Sequence, residues 1–119
     1  MTKWKGNLVK MCNSHTNENS EKLLRLLGLA ARAGKLVYGT PMVCEELKKG
    51  NKVYFVFEAN GTSENTHKRI GDRCRFYNAR LIGLGLNTEE FAHLLGKSGE
   101  LAVAALTDAS FAQGIEKLI

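Results

Sequence analysis

Three histidines (His15, His67, His93), three cysteines (Cys12, Cys44, Cys74) and two glutamate pairs (Glu45–Glu46, Glu89–Glu90) are the groups of this 119-residue chain suited to acid–base, nucleophilic or metal chemistry. Their spacing argues against each use. "CNSH", Cys12 to His15, has ligand-like spacing but stands alone, whereas a structural zinc needs four ligands. His67 and Cys74 fall on one helical stripe with Ile70 and Tyr77, but two turns separate them by ~10 Å at the rise of a helix, too far for a nucleophile and its base. Adjacent glutamates on a helix do not face each other, so neither pair forms a two-carboxylate site. No GxGxxG or GxxxxGK[ST] is present, and "GLGLN" (83–87) is at most half a phosphate loop. The expectation is a chain with no catalytic residue, no metal and no cofactor. A deep pocket holding His67 with a perturbed partner would argue otherwise.

Charge points elsewhere. Lysine and arginine number 17 against 12 acidic residues, a net charge of +5. The first nineteen residues, with Lys3, Lys5, Lys10 and Glu18, hold +2 of it and the remainder +3. Lys68, Arg69, Arg73 and Arg75 recur at helical spacing, a face that can neutralise phosphates or simply stay solvated. "RAGKLVYGTP", "EANGTS" and "GKSGELA" are short glycine-bearing loops at element ends, where binding groups concentrate on a rigid layered domain. Three cysteines at irregular spacing suggest reduced thiols, and no apolar run suits a membrane span or a secretory leader, so a cytoplasmic location is expected.

The elements that must position these loops follow from periodicity. Residues 1–19 show neither helical nor strand period and read as a flexible tail; 20–119 read as one domain. Ser20 is a candidate cap for a helix carrying Leu23, Leu26, Leu27 and Ala30 on one stripe and ending at Gly34. "KLVYG" is a short strand. Thr40 is a candidate cap and Pro41 a first-turn residue for a helix that stops at Gly50. "VYFVFEA", "ARLIGLG" and "LAVAALT" read as strands, the first buried on both faces. Helices capped by Thr62 or Ser63, by Asn87 or Thr88, and by Asp108 follow them. Alternation of this kind packs helices on both faces of a sheet.

"LLGLAARAGKLVYG", "VYFVFEA…SENTHKRIGDRCRFY" and "LGKSGELAVAALTDASFAQGI" together resemble the bacterial branch of the seven-Ae family of large-subunit ribosomal proteins over about residues 20–119. The resemblance implies a thirty-e-like, three-layer α/β/α sandwich with a four-stranded mixed sheet. It also implies binding to structured RNA of the kink-turn type, in a ribosomal setting, without cofactor. The RNA-facing positions would be Gly39, Thr40, Pro41 and Met42; Asn60 and Gly61; and Lys97, Ser98, Gly99, Glu100 and Leu101. Arg32, Lys35 and Lys49 join them as candidate phosphate contacts at the same end.

The match of "GTPMVCEELKKG" is one of frame, not of contacting chemistry. Gly39, Thr40 and the closing Lys49–Gly50 fit the family pattern. Pro41 stands where Asn is usual, Met42 where Glu is usual, and Glu45 where Lys is usual. Asn60 and Gly61 replace an acidic pair, and Glu100 charges a loop that is usually apolar. Each lost charge-assisted hydrogen bond is worth about 1.5–3 kcal/mol, so two losses correspond to about two to four powers of ten in affinity unless Arg32, Lys35, Lys49 and Lys97 offset them. The alternative is a protein–protein adaptor that keeps the fold, with Met42, Val43 and Cys44 as an apolar docking edge.

Overall fold

The computed structural model describes residues 17–50 and 52–118. Helices and strands alternate as expected: α1 (Asn17–Arg32), β1 (Leu36–Tyr38), α2 (Thr40–Lys48), β2 (Phe55–Asn60), α3 (Glu64–Phe76), β3 (Arg80–Asn87), α4 (Thr88–Leu94), β4 (Val103–Leu106) and α5 (Ala109–Glu116). Three caps fall where the residue types placed them. Ser63 accepts the Thr66 N–H, Asp108 the Phe111 N–H, and Asn87 forms a reciprocal capping box with Glu90. Two do not. Helix α1 begins at Asn17, so Ser20 lies inside it; the apolar period starting at Leu23 cannot mark how many polar residues wind into the first turn. Gly39 rather than Thr40 is the N-cap of α2. The rest of the expected tail, 1–16, lies outside the described residues.

The sheet has the order β1-β4-β2-β3. Strand β4 runs antiparallel to both β1 and β2, while β2 and β3 are parallel, which makes the sheet mixed. Side chains alternate across it. Phe55, Phe57 and Ala59 of β2 face a core shared with Leu23 and Leu27 of α1, Phe91 of α4 and Ile115 of α5. Val56 faces a second core with Val43 and Leu47 of α2 and Ile70 and Cys74 of α3. The chain is therefore a three-layer α/β/α sandwich. Each fully buried Leu, Ile, Val or Phe contributes about 1.5–3 kcal/mol of transfer free energy, so the central strand anchors both layers.

Strand direction decides which loops meet. The register rows Leu36–Leu106–Phe55–Arg80 at one end and Tyr38–Ala104–Phe57 near the other fix the polarity. The β1–α2, β2–α3 and β3–α4 turns and the α4–β4 loop gather at one pole. The α1–β1, α2–β2, α3–β3 and β4–α5 connections gather at the opposite pole.

Candidate nucleic-acid interface

At the first pole, Gly39 leaves β1 with φ 89° and ψ 146°, a conformation close to one that only glycine adopts freely. Its N–H donates to the Val103 carbonyl at 2.9 Å, so the β1–α2 turn is tied to the first residue of β4. No side chain caps α2 among the described residues. The N–H groups of Thr40 and Met42 are thus left directed off the helix start, where they suit a phosphate oxygen, while Pro41 supplies no donor.

Two further turns flank this one. The Ala59 N–H donates to the Ala102 carbonyl at 2.8 Å, which holds Asn60 and Gly61 beside the start of β4. Thr62 Oγ1 closes that turn on the Ala59 carbonyl at 2.8 Å, and Gly61 takes φ 82°. In the α4–β4 loop, Lys97 Nζ lies 4.2 Å from the centroid of the Tyr38 ring. Lys97, Ser98, Gly99 and Glu100 are exposed. Leu101 is not: it is 8% exposed, joins the core, and its N–H donates to the Thr88 carbonyl at 3.0 Å. Leu101 anchors the loop and offers it no contact surface.

Three candidates of the sequence reading lie elsewhere. Arg32 and Lys35 precede β1, and the Lys35 carbonyl accepts from the backbone N–H and side-chain hydroxyl of Thr107, beyond the far end of β4. Lys49 caps the C-terminus of α2, about 12 Å along the helix from Pro41. The opposite-pole position of all three corrects the expectation that they supplement the turn at Gly39–Met42. Lys97 alone among them stands at that turn. Its exposed charged neighbours at this pole are Glu64, Glu89, Glu90 and Glu100. Glu90 is engaged in accepting the Asn87 N–H at 2.9 Å.

The apolar docking edge is not formed either. Val43 is 0% and Cys44 4% exposed, both packed in the second core, and Met42 at 56% is the single exposed apolar residue of the trio. Burial pushes the Cys74 thiol up to about 12, with Cys44 and Glu58 adding to the effect. Cys74 is therefore a packing residue and not a nucleophile. No group of three or more metal-ligating side chains occurs among the described residues, and none of their helices is long and apolar enough to cross a membrane.

Sequence reasoning missed Glu58. Its carboxylate sits on the α2/α3 side of β2, 4% exposed, and both its oxygens meet His67 Nδ1, at 2.8 and 2.9 Å. Burial pushes the carboxyl above its ordinary range, and the His67 hydrogen bond and charge draw it partly back. A lone acid inside an otherwise apolar strand run was the available signal, because a buried carboxylate requires a partner. Neither residue lines any of the clefts described below.

This sandwich collects the β1–α2, β2–α3, β3–α4 and α4–β4 turns at one pole. No family model matches the chain, but curated relatives do. It is 34% identical to a protein named RNA-binding protein YlxQ from Enterococcus faecium, over 85% of this chain and 94% of that one. It is likewise 34% identical to RNA-binding protein YlxQ from Bacillus subtilis, over 79% and 91%. The chain belongs to the YlxQ family. Solved structures agree on the fold: a Bacillus halodurans protein of unknown function superposes with a TM-score of 0.72 at 31% identity, covering 82% of this chain and 95% of that one. A Giardia lamblia 15.5kD RNA binding protein gives 0.66 at 17% identity, covering 86% and 91%.

Proposed function

We propose that the protein is a non-catalytic RNA-binding protein that recognises a sharply bent, kink-turn-type RNA at the pole formed by Gly39–Met42, Asn60–Gly61 and Lys97–Glu100. The setting is ribosomal RNA or its assembly. The observation that carries this reading is the uncapped start of α2 beside Lys97, held in place by the Gly39–Val103 hydrogen bond. The names of the relatives, as RNA-binding proteins, support it.

The mechanism is recognition of shape. Backbone amides of Thr40 and Met42 receive a phosphate, Lys97 contributes a nearby cation, and the Asn60 side chain meets a splayed base. Because Glu45, Glu64 and Glu100 repel an evenly charged duplex, discrimination arises from fit at the turn and not from attraction in bulk. The Glu58–His67 pair is structural in this reading: it ties α3 to β2 behind the turn. Lys97→Glu tests it, with an expected loss of about tenfold or more on a structured RNA and unchanged thermal stability. Unaltered affinity would remove this pole from consideration.

A further inference from the structure

The opposite pole has a different character. A cleft of about 690 Å³ is lined by Lys52, Tyr54, Arg80 and Lys117, and a smaller one of about 280 Å³ by Leu47, Gly50 and Tyr77. Lys52, Val53 and Asn78 belong to both, so the two form one concave strip across the ends of β2, β3 and the helices. Lys48 and Lys49 are exposed and fall in the chain between Leu47 and Gly50, which line it, and Arg73 lies one turn before Tyr77.

Aromatic rings alternate with these cations. Lys52 Nζ stands 5.4 Å from the Tyr54 ring centroid. Phe76 is 79% exposed, and its ring meets that of Tyr77 edge-on, with centroids 4.8 Å apart at 85°. Such contact leaves a Phe76 face open to a stacking partner. Arg80 is held by Glu116 at 2.8 and 2.9 Å, and Lys35 by Asp108 at 4.0 Å. Among the described residues Lys48, Lys49, Lys52, Arg73 and Lys117 have no carboxylate partner.

Cations at helix C-termini are favourable for the helices themselves. That accounts for Lys48 and Arg73. It does not account for Lys52, which lies on no helix, for Lys117 in the same cleft, or for an exposed phenylalanine packed against Tyr77 of the smaller cleft. A positive groove interleaved with rings is the arrangement that takes an unpaired nucleic-acid strand, with phosphates on the cations and bases on the rings. A regular duplex would leave the rings unused.

We propose that this pole is a second RNA-contacting surface, for an unpaired strand whose phosphates meet Lys49, Lys52 and Lys117 and one of whose bases stacks on Phe76. The inference does not rest on the kink-turn reading, since the two poles share no residue. The protein would then hold a bent RNA element at one end and a flanking single strand at the other.

The test is fluorescence anisotropy of a labelled short oligouridylate with the full chain, at several salt concentrations. Lys49→Glu/Lys52→Glu is expected to weaken binding about tenfold or more and to lower the slope of log affinity against log salt by about 1.4, the loss of two single-strand phosphate contacts. Phe76→Ala is expected to weaken it about fivefold or more with the slope unchanged. Arg25→Gln, on the exposed face of α1 and outside both poles, is expected to leave it unaltered. Parent-like binding by both pole variants, no binding by the parent, or equal binding of polyglutamate would each overturn the proposal; the last would indicate an acidic-protein surface. All three pole residues are exposed or on a cleft rim, and melting curves establish that the variants fold.

Discussion

Glu58 on the central strand and His67 on helix α3 are joined by two contacts of 2.8 and 2.9 Å from the carboxylate oxygens to Nδ1. This is the one buried acidic side chain among the described residues, and its partner stands one turn into the helix that follows the Asn60–Gly61 turn. The pair therefore ties α3 to β2 directly behind the Asn60–Gly61 turn.

Removing the imidazole strands the acid. His67→Ala is expected to destabilise the fold by about 1–2 kcal/mol at neutral pH, the cost of a buried charged acceptor without its donor. The partial exposure of His67 keeps the value at the low end, because water screens the outer side of the pair. Urea unfolding measures it; an unchanged midpoint would mean that water replaces the histidine fully.

The same acid gives stability a pH dependence of known sign. The native state holds the Glu58 proton to a higher pH than the unfolded chain does, because burial disfavours the carboxylate. The contribution of this group is present below the ordinary glutamate value of about 4.3 and is lost as pH rises through the raised native value. The melting temperature of the parent minus that of Glu58→Gln is therefore expected to increase as pH falls from 7.5 to 4. A gap that stays constant would show that His67 compensates the burial completely.

Gly39 carries a second local requirement. A β-carbon at φ 89° is strained even though the nearest side-chain atom, Pro41 Cδ, is 4.0 Å away. Gly39→Ala is expected to cost about 1–3 kcal/mol. For a domain near 100 residues that lowers the melting temperature by about 4–8 °C per kcal/mol. Structured-RNA affinity should fall with it, because the start of α2 is re-aimed. Scanning calorimetry and titration on one preparation check both.

Cys44 and Cys74 are both buried, and the Cys74 thiol is pushed up to about 12. In a Cys12→Ser background, native protein at pH 8 is expected to leave Ellman's reagent unreacted, and denatured protein to release two equivalents. Rapid native reaction would indicate opening of the α2/α3 layer.

The layers were legible because their signals are local. Apolar runs of strand length, capping residues such as Asp108 and Asn87, and the glycine stops mark nine elements without reference to distant parts of the chain. The clustering of Gly39–Met42, Asn60–Gly61 and Lys97–Leu101 followed only through the family resemblance, and Leu101 within it proved to be an anchor. Strand direction was not legible. It sends Lys35 and Gly39, four residues apart, to opposite poles, and it is set by pairing with β4, nearly seventy residues later. For the same reason no window of sequence assembles Lys49, Lys52, Phe76 and Lys117 into one surface. The Glu58–His67 contact was hidden by the apolar residues around Glu58, which gave the strand its identity and masked its exception.

The central claim is that the α2 turn selects bent RNA despite Pro41, Met42 and Glu45. The most direct measurement is a titration of a kink-turn RNA and a plain duplex of equal length, at two salt concentrations, with the parent and with Lys49→Glu/Lys52→Glu. Tighter binding to the kink-turn by both proteins, abolished by Lys97→Glu, is the expected result. Equal and steeply salt-dependent binding to both RNAs, lost in the Lys49→Glu/Lys52→Glu protein, would contradict it and leave the opposite pole as the source of all RNA affinity.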